Sequence, residues 1–243
     1  VAYNSAGTIT DALRSVAQQS HPDVEQIVID GASSDTTCAV VRAEGARVSM
    51  LVSEPDQGIY DAMNKGLARA TGEVIAFLNS DDWYASGDVL ARVAALMQAD
   101  DALDAVLGDV EFVDPATPQR SIRRYRSGKF RPSQLAWGWM PAHPALFVRR
   151  RVFERAGPFR TDLRIAGDYE WIARAFGPGT LRYRHLDAVL VRMRTGGIST
   201  GGWRNTLLLN QEVLRACRLN GIRTNWLKIL SKYPAKLLEF LRP

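Results

Sequence analysis

Apolar residues in the first hundred or so positions follow two alternating rhythms. Short runs rich in Val, Ile and Leu, at 24–29, 47–53, 74–78 and 105–110, carry the composition of strands. The run 74–78 shows no alternation, as expected of a strand buried on both faces. Before and between these runs, 8–19, 35–44, 59–70 and 88–99 have helical spacing; Ile59, Met63, Leu67 and Ala70 form one stripe that Gly72 closes. Thr8, with Asp11 three residues on, is a candidate cap for the first helix. Strand-helix-strand order with short connections predicts an α/β fold: a mostly parallel sheet with right-handed crossovers, flanked by helices.

After Val113 the rhythm breaks. Pro115, Pro118, Pro132, Pro141 and Pro144 punctuate a stretch containing Trp137 and Trp139, which predicts loops and antiparallel strands laid over one face of the sheet. Residues 149–156 and 168–176 read as short helices and 186–193 as a strand. No linker stands out, so the pattern predicts one domain over 1–202 and a helical extension over 203–243. At 100° per residue, Lys228, Lys232, Lys236, Glu239 and Arg242 share one face of that extension, opposite Ile229, Leu230, Tyr233, Leu237, Phe240 and Leu241, with Pro234 as a kink. Such a helix suits an anionic bilayer surface, or packing on the domain or a second subunit.

Composition narrows the class. Of 243 residues, 46% are apolar and 23% charged, which argues against disorder, collagen and a disulfide scaffold. Cys38 and Cys217 are too few for a disulfide framework or a cysteine-based zinc site. No apolar run reaches the roughly 18–20 residues of a membrane span. The opening Val1-Ala2-Tyr3-Asn4 has neither Met nor a basic leader and reads as a strand entered at its middle. The net charge of +5 conceals an asymmetry: 7 basic and 19 acidic residues in 1–121, against 24 and 7 in 122–243. An acidic front half suits a cationic ligand, and a basic back half suits an anionic one: nucleic acid, acidic lipid or a phosphorylated substrate.

Four polar clusters fall where strands end, the edge at which open α/β sheets bind ligands. They are Tyr3-Asn4, Asp30-Gly31-Ala32-Ser33-Ser34-Asp35, Glu54-Pro55-Asp56-Gln57-Gly58 and Asn79-Ser80-Asp81-Asp82. Ser34 and Asp35 also fit as plain helix caps. In the last cluster, adjacent carboxylates repel unless a cation lies between them and a ligand; Mg²⁺ or Mn²⁺ takes one or two carboxylates plus phosphate oxygens. The alternative there is a turn in which Asp82 caps the next helix.

These clusters, with Ser53-Glu-Pro-Asp-Gln-Gly-Ile-Tyr-Asp-Ala-Met-Asn-Lys-Gly66 and Thr71-Gly72-Glu73, resemble the family 2 glycosyltransferases of GT-A fold. The likeness is greatest to the bacterial branch that builds exopolysaccharide, capsule and O-antigen, and covers about residues 1–200. The resemblance implies an inverting transfer from a UDP- or GDP-activated sugar to a hydroxyl of a glycan or polyprenyl-linked acceptor, dependent on Mn²⁺ or Mg²⁺. It implies a cytoplasmic location, with peripheral contact to the inner membrane, and no nucleic-acid partner. Matched by position, Asp30 is similar to the acid that contacts the nucleobase, with Tyr3, Asn4 and Ser33 lining the same pocket and Asp56 the next nucleoside contact. Asn64 and Lys65 match the pair facing the diphosphate or sugar. The metal-binding Asp-x-Asp falls on Asn79-Ser80-Asp81, with Asn for the first Asp; the resemblance leaves Asn79 as a donor contact that can bond a ribose hydroxyl but adds no charge, so metal ligation rests on Asp81, Asp82 or both.

Ala166-Gly167-Asp168-Tyr169-Glu170 resembles the family's late acidic motif, which places the catalytic base at Asp168, with Gly167 where Glu is usual and Glu170 as the alternative base. A positioned carboxylate can take the proton of an attacking hydroxyl. Asp168 capping its helix is compatible with that role. Arg192-Met-Arg194-Thr-Gly196-Gly197-Ile-Ser199 resembles a late loop of the same branch, with Arg194 beside glycines that let backbone N–H groups approach a diphosphate. Asp109, Trp137, Trp139 and His143 are candidates for acceptor contacts, and equally for a strand end and core packing. A sugar-phosphate nucleotidyltransferase needs a Gly-rich loop ending in a basic residue after the first strand, and a dinucleotide dehydrogenase needs G-x-G-x-x-G there; Tyr3-Asn4-Ser5-Ala6-Gly7 is neither. A non-catalytic nucleotide- or glycan-binding module is the remaining alternative.

Overall fold

The computed structural model describes residues 1–196 and 202–233. The first half runs α1 (Ile9–Ala17), β1 (Gln26–Asp30), α2 (Thr37–Glu44), β2 (Val48–Ser53), α3 (Ile59–Arg69), β3 (Val74–Ile75), β4 (Asp82–Tyr84), α4 (Val89–Ala99) and β5 (Ala105–Val113). The second half runs β6 (Ser121–Tyr125), β7 (Leu146–Arg149), α5 (Arg150–Ala156), α6 (Gly167–Phe176), β8 (Tyr183–Arg194), α7 (Trp203–Leu219) and α8 (Trp226–Leu230). Short 3₁₀ turns at Pro132–Trp137 and His143–Ala145 lie between β6 and β7.

The α/β class holds, but the strand pairing is mixed. β1 and β2 pair in parallel, with Asp30 opposite Ser53, and Ala2 bridges Asp30 in parallel on the other side. A second sheet has the order β3-β7-β5-β8-β4, with β6 also on β5. Only β5–β8 is parallel there; β3–β7, β5–β7, β4–β8 and β5–β6 are antiparallel. The Pro-rich stretch therefore does more than cover a face, since its apolar Leu-Phe-Val run becomes β7, an inner strand. The predicted strand 74–78 pairs only over Val74–Ile75, which leaves Phe77 to Asp81 free to shape a loop. Asp82 lies on β4 opposite Met193, so the alternative of a turn in which it caps the next helix does not hold.

α6 sits at the centre of the main core. Trp171, Ile172 and Phe176 are fully buried, packed with Phe130, Leu135, Phe153 and Phe159. Each large apolar side chain so buried contributes about 1.5–3 kcal/mol, so the start of this helix, and Asp168 with it, is held firmly. Val213, Leu214, Ala216 and Cys217 of α7 and Ile229 of α8 belong to the same core, so the extension is built into the domain. The expected faces of the extension do not hold. Ile229 and Lys232 both point inward, because α8 packs against the turn at Pro132–Trp137, while Leu227 and Leu230 are exposed. Pro234 with its expected kink, Lys236, Leu237, Glu239, Phe240, Leu241 and Arg242, and Gly197 with Ser199, lie outside the described residues.

Candidate functional site

The four predicted clusters meet through hydrogen bonds between their loops. Asn4 N–H donates to Ser33 Oγ at 2.7 Å, and Asn4 Oδ1 accepts from Ser34 N at 2.9 Å, which joins the first cluster to the second. These bonds hold Asn4 at φ 46° and Ala32 at φ 59°, left-handed conformations that cost a non-glycine residue free energy. Parallel pairing sets the third cluster beside the second, and Gly31 makes room for it. A Cβ at Gly31 would lie 2.3 Å from Asp56 Oδ2 and 3.4 Å from the Tyr3 ring. Ser80 Oγ to Ser5 Oγ at 2.8 Å ties the fourth cluster to the first. The result is a polar rim of exposed Tyr3 and Asn4 with half-buried Ser33 and Asp56.

Asp30 lies beneath that rim. Its carboxylate is fully buried and accepts from Ser33 N at 2.9 Å, Ser53 Oγ at 2.7 Å, Cys38 Sγ at 3.3 Å and Ser33 Oγ. Burial pushes its carboxyl upward, but the Ser33 and Ser53 bonds outweigh this and hold it below the ordinary aspartate value. It therefore orders this loop, with its carboxylate turned to Ser33, Ser53 and Cys38 beneath the rim.

At Asn79-Ser80-Asp81-Asp82 the chemistry asks for a cation. Asn79 Nδ2 donates to Asp82 Oδ2 at 3.1 Å, while Asn79 Oδ1 and Asp82 Oδ1 are buried with no hydrogen-bond partner among the described residues. Burial, and then the charge of Asp81, raise the Asp82 carboxyl to about 8. Two orphaned oxygens beside a like-charged pair fit a hard divalent ion. Asp81 is the more accessible carboxylate and Asp82 the deeper one. Arg194 closes the group: Nη1 donates to Asp81 O at 2.8 Å, Nη2 pairs with Asp11, and the guanidinium lies 4.6 Å from the centre of the Trp83 ring.

Asp168 stands on the first turn of α6. Tyr60 Oη donates to Ile165 O at 2.6 Å and to Asp168 Oδ1 at 3.1 Å, and Tyr169 N donates to the same Oδ1 at 2.7 Å. No hydrogen bond to Oδ2 occurs among the described residues, so that oxygen is the one open to a substrate. The Tyr60 ring explains Gly167: a Cβ there would lie 2.6 Å from Tyr60 Cδ2. Glu170, the alternative to Asp168, is engaged elsewhere. It is buried, pairs with Arg174 at 2.8 Å and accepts from Asn220 Nδ2 at 3.2 Å. Between Asp168 and the carboxylate loop lies an aromatic cluster. Phe77, two residues before Asn79, stacks on His143 at 5.8 Å and meets Phe159 edge-on at 5.2 Å, and Tyr60 stacks on Phe159 at 6.0 Å. His143 is buried here; burial lowers its pKa, opposed by the charge of Asp168.

Other expected residues are occupied elsewhere. Asn64 spends both ends of its amide on Phe159, donating to O and accepting from N at 2.8 Å each, so it pins the 159 loop and does not face a diphosphate. Lys65 Nζ is held by Pro55 O at 2.7 Å and Glu54 at 3.1 Å. Asp109 is fully buried, bonded to Arg124 Nε at 2.8 Å, His185 Nε2 at 2.7 Å and Ser127 N at 2.9 Å, and has no face for an acceptor. Asp109, His185 and Asp187 have ligand-like spacing, but Arg124 already bridges the two carboxylates. Along β8, His185 is also eight residues from Met193 opposite Asp82, roughly 25 Å of strand away. Trp137 is exposed with Lys228 Nζ 5.4 Å from its ring centre, and Trp139 is half-buried. Tyr60, and Glu212, which accepts from Arg164 N, Ile165 N and Ala166 N just before α6, were not singled out by any sequence pattern. The one available signal for Glu212 was its standing as the sole acid between Asp187 and Glu239.

Comparison with known proteins shows the family and the fold. The family model described as glycosyl transferase family 2 matches residues 1–157. A PGL/p-HBAD biosynthesis glycosyltransferase of Mycobacterium tuberculosis is 30% identical over 241 residues, covering 94% of this chain and 90% of that protein. Glycosyltransferase AglE of Haloferax volcanii is 31% identical over 75% of this chain and 62% of its own length. Among solved structures, S. aureus TarS 1-349 with UDP-GlcNAc aligns at TM-score 0.69 and 20% identity, over 88% of this chain and 64% of that one. This chain spans 38% of a longer TarS chain. Mannosyltransferase PcManGT of Pyrobaculum calidifontis, with GDP-Man and Mn²⁺, aligns at 0.62 and 22%, over 88% and 62%. At such identities these two speak for the fold, which is of GT-A type.

Proposed function

This chain belongs to glycosyl transferase family 2, and on that premise we propose that it transfers a sugar from a UDP- or GDP-linked donor to a hydroxyl of a lipid-linked glycan, with inversion. The observation that carries the proposal is the joining of the Tyr3-Asn4, Asp30–Asp35 and Asp56 loops to the Asn79–Asp82 loop, where two buried oxygens lack partners. Structural neighbours bound to UDP-GlcNAc and GDP-Man support a nucleotide-sugar donor. Tyr3, Asn4, Ser33 and Asp56 hold the nucleoside; Asp81 and Asp82, with Asn79, hold Mn²⁺ or Mg²⁺. When bound, that ion offsets the charge of the diphosphate leaving group.

Asp168 is the base. Its Oδ1 is fixed by Tyr60 and Tyr169 N, so Oδ2 accepts the proton of the acceptor hydroxyl. The hydroxyl oxygen attacks the anomeric carbon in line, the bond from that carbon to the diphosphate oxygen breaks, and the nucleoside diphosphate leaves with that electron pair. The aromatic cluster of Phe77, His143 and Phe159 supplies a dry wall beside this path. The lipid-linked acceptor is supported by a surface of exposed Trp137, Trp226, Leu227 and Leu230 carrying Lys228, which suits an anionic bilayer at the cytoplasmic face. No helix of the described residues is long and apolar enough to cross a membrane.

The test is calorimetry of UDP and GDP binding, with and without Mn²⁺. Binding of one of them, weakened at least about tenfold by chelator or by Asp81→Asn, is the expected result; at ligand concentrations near 100 Kd it would stabilise the fold by about 2.7 kcal/mol. No metal-dependent binding of either nucleotide would refute the proposal.

A further inference from the structure

We infer that Glu212, on a helix beyond the residues matched by the family model, is a positioning residue that acts with Tyr60 to set the height and direction of the Asp168 carboxylate. The inference rests on Asp168 being the base, as proposed above. Glu212 is buried at 8% exposure, and both of its oxygens face one loop. Oε1 accepts from Arg164 N at 2.8 Å; Oε2 accepts from Ile165 N and Ala166 N, each at 2.8 Å. These three N–H groups lie in the segment that turns the chain into α6, two to four residues before Asp168. Three successive amides converging on one carboxylate fix the path of a loop that has no strand or helix to hold it.

Tyr60 grips the same segment from the opposite side of the chain's order. Its hydroxyl bonds Ile165 O and Asp168 Oδ1, and its ring fills the space a side chain at residue 167 would need. Residue 165 is thus held at both ends, its N–H by α7 and its C=O by α3. Three elements far apart in the chain thus meet at one loop: Tyr60 is 108 residues from Asp168, and Glu212 is 46 residues from Ala166. Neither Tyr60 nor Glu212 needs to touch a substrate for this. Tyr60 keeps its proton, since burial and then the Asp168 charge push its pKa far upward, so it remains a donor to the carboxylate. A shift of about 1 Å in a general base lowers turnover by about 10²-fold, and Glu212 and Tyr60 prevent such a shift.

The experiment uses the full chain and release of nucleoside diphosphate from UDP-GlcNAc and GDP-Man, with calorimetric nucleotide affinity measured alongside. Asp168→Asn is expected to lower kcat by about 10²–10⁴-fold. Glu212→Gln keeps the shape but replaces one acceptor by an NH₂ that confronts a backbone N–H. It is expected to lower kcat by about 10²-fold with donor KM and nucleotide Kd unchanged. It should have no further effect in an Asp168→Asn background, since a residue acting through another is not additive with it. Tyr60→Phe, which retains the ring and loses only the hydroxyl, should behave in the same way and keeps the question answerable if Glu212→Gln does not fold. Wild-type kcat in a folded Glu212→Gln or Tyr60→Phe variant overturns the inference, as does an undiminished effect in the Asp168→Asn background, or a fall in nucleotide affinity alongside kcat. Full activity in Asp168→Asn alone would instead refute the base assignment, and this inference with it.

Discussion

Replacing Gly167 with alanine should destabilise this protein, against the usual expectation for a helix. Gly167 begins α6, and its φ is not among the left-handed ones. In an open helix, Gly→Ala at such a site stabilises by about 0.4–1 kcal/mol. Here the new Cβ would lie 2.6 Å from Cδ2, 2.7 Å from Cε2 and 2.9 Å from Cγ of Tyr60, where carbon atoms prefer about 3.5–4.0 Å. The ring would have to retreat by about 1 Å. It is 5% exposed, stacked on Phe159, and tethered through Oη to Ile165 O. Overpacking of this kind costs about 1–3 kcal/mol, and loss of the tether adds about 1 kcal/mol. The net expectation is a loss of about 1–3 kcal/mol. Urea unfolding of wild type, Gly167→Ala, Tyr60→Ala and the double variant measures it. With the ring gone, the alanine should be neutral or stabilising, giving a coupling of at least about 1 kcal/mol. A stabilised Gly167→Ala, or the same cost in both backgrounds, would refute the reasoning.

Two further predictions concern the site's electrostatics. His143 has a folded pKa lowered from 6.5 by burial, so the folded state binds fewer protons than the unfolded one. Its neutral form is fully accommodated above pH 6.5, and stability is lost as pH falls below that value. Urea midpoints from pH 7.5 down to 5.5 should fall more steeply in wild type than in His143→Phe, and parallel curves would count against a buried neutral imidazole. Arg194→Ala removes the bond to Asp81 O and the ring contact with Trp83. UDP or GDP affinity with Mn²⁺ should drop by about tenfold or more, the scale of one charge-assisted bond, and an unchanged Kd would place Arg194 outside the donor site.

The sequence by itself determined most strands and helices of the first half and where the polar loops between them fall, but it did not place β4, β6 or β7. Ile59 to Ala70 and the runs before Asp30, Glu54 and Asp81 were legible because hydrophobic periodicity and turn chemistry are local, depending on residues a few positions apart. The motifs at Tyr3-Asn4, Asp30, Asp56, Asn79–Asp81 and Asp168 became readable as a set through their resemblance to family 2 glycosyltransferases. Tertiary structure alone decided how those parts are used. Asn64 and Lys65 look like free polar groups in a motif, yet Phe159, Pro55 and Glu54 occupy them. Asp109 was read as a polar strand end open to an acceptor, yet it lies inside β5, where Arg124 and His185 occupy its carboxylate. The antiparallel entry of β7 beside β5, the burial of Lys232 and the grip of Tyr60 and Glu212 on the Asp168 loop all join residues tens of positions apart. Whether a polar group stays open to a ligand depends on which distant donor or acceptor folding brings against it, and local periodicity carries no record of that partner.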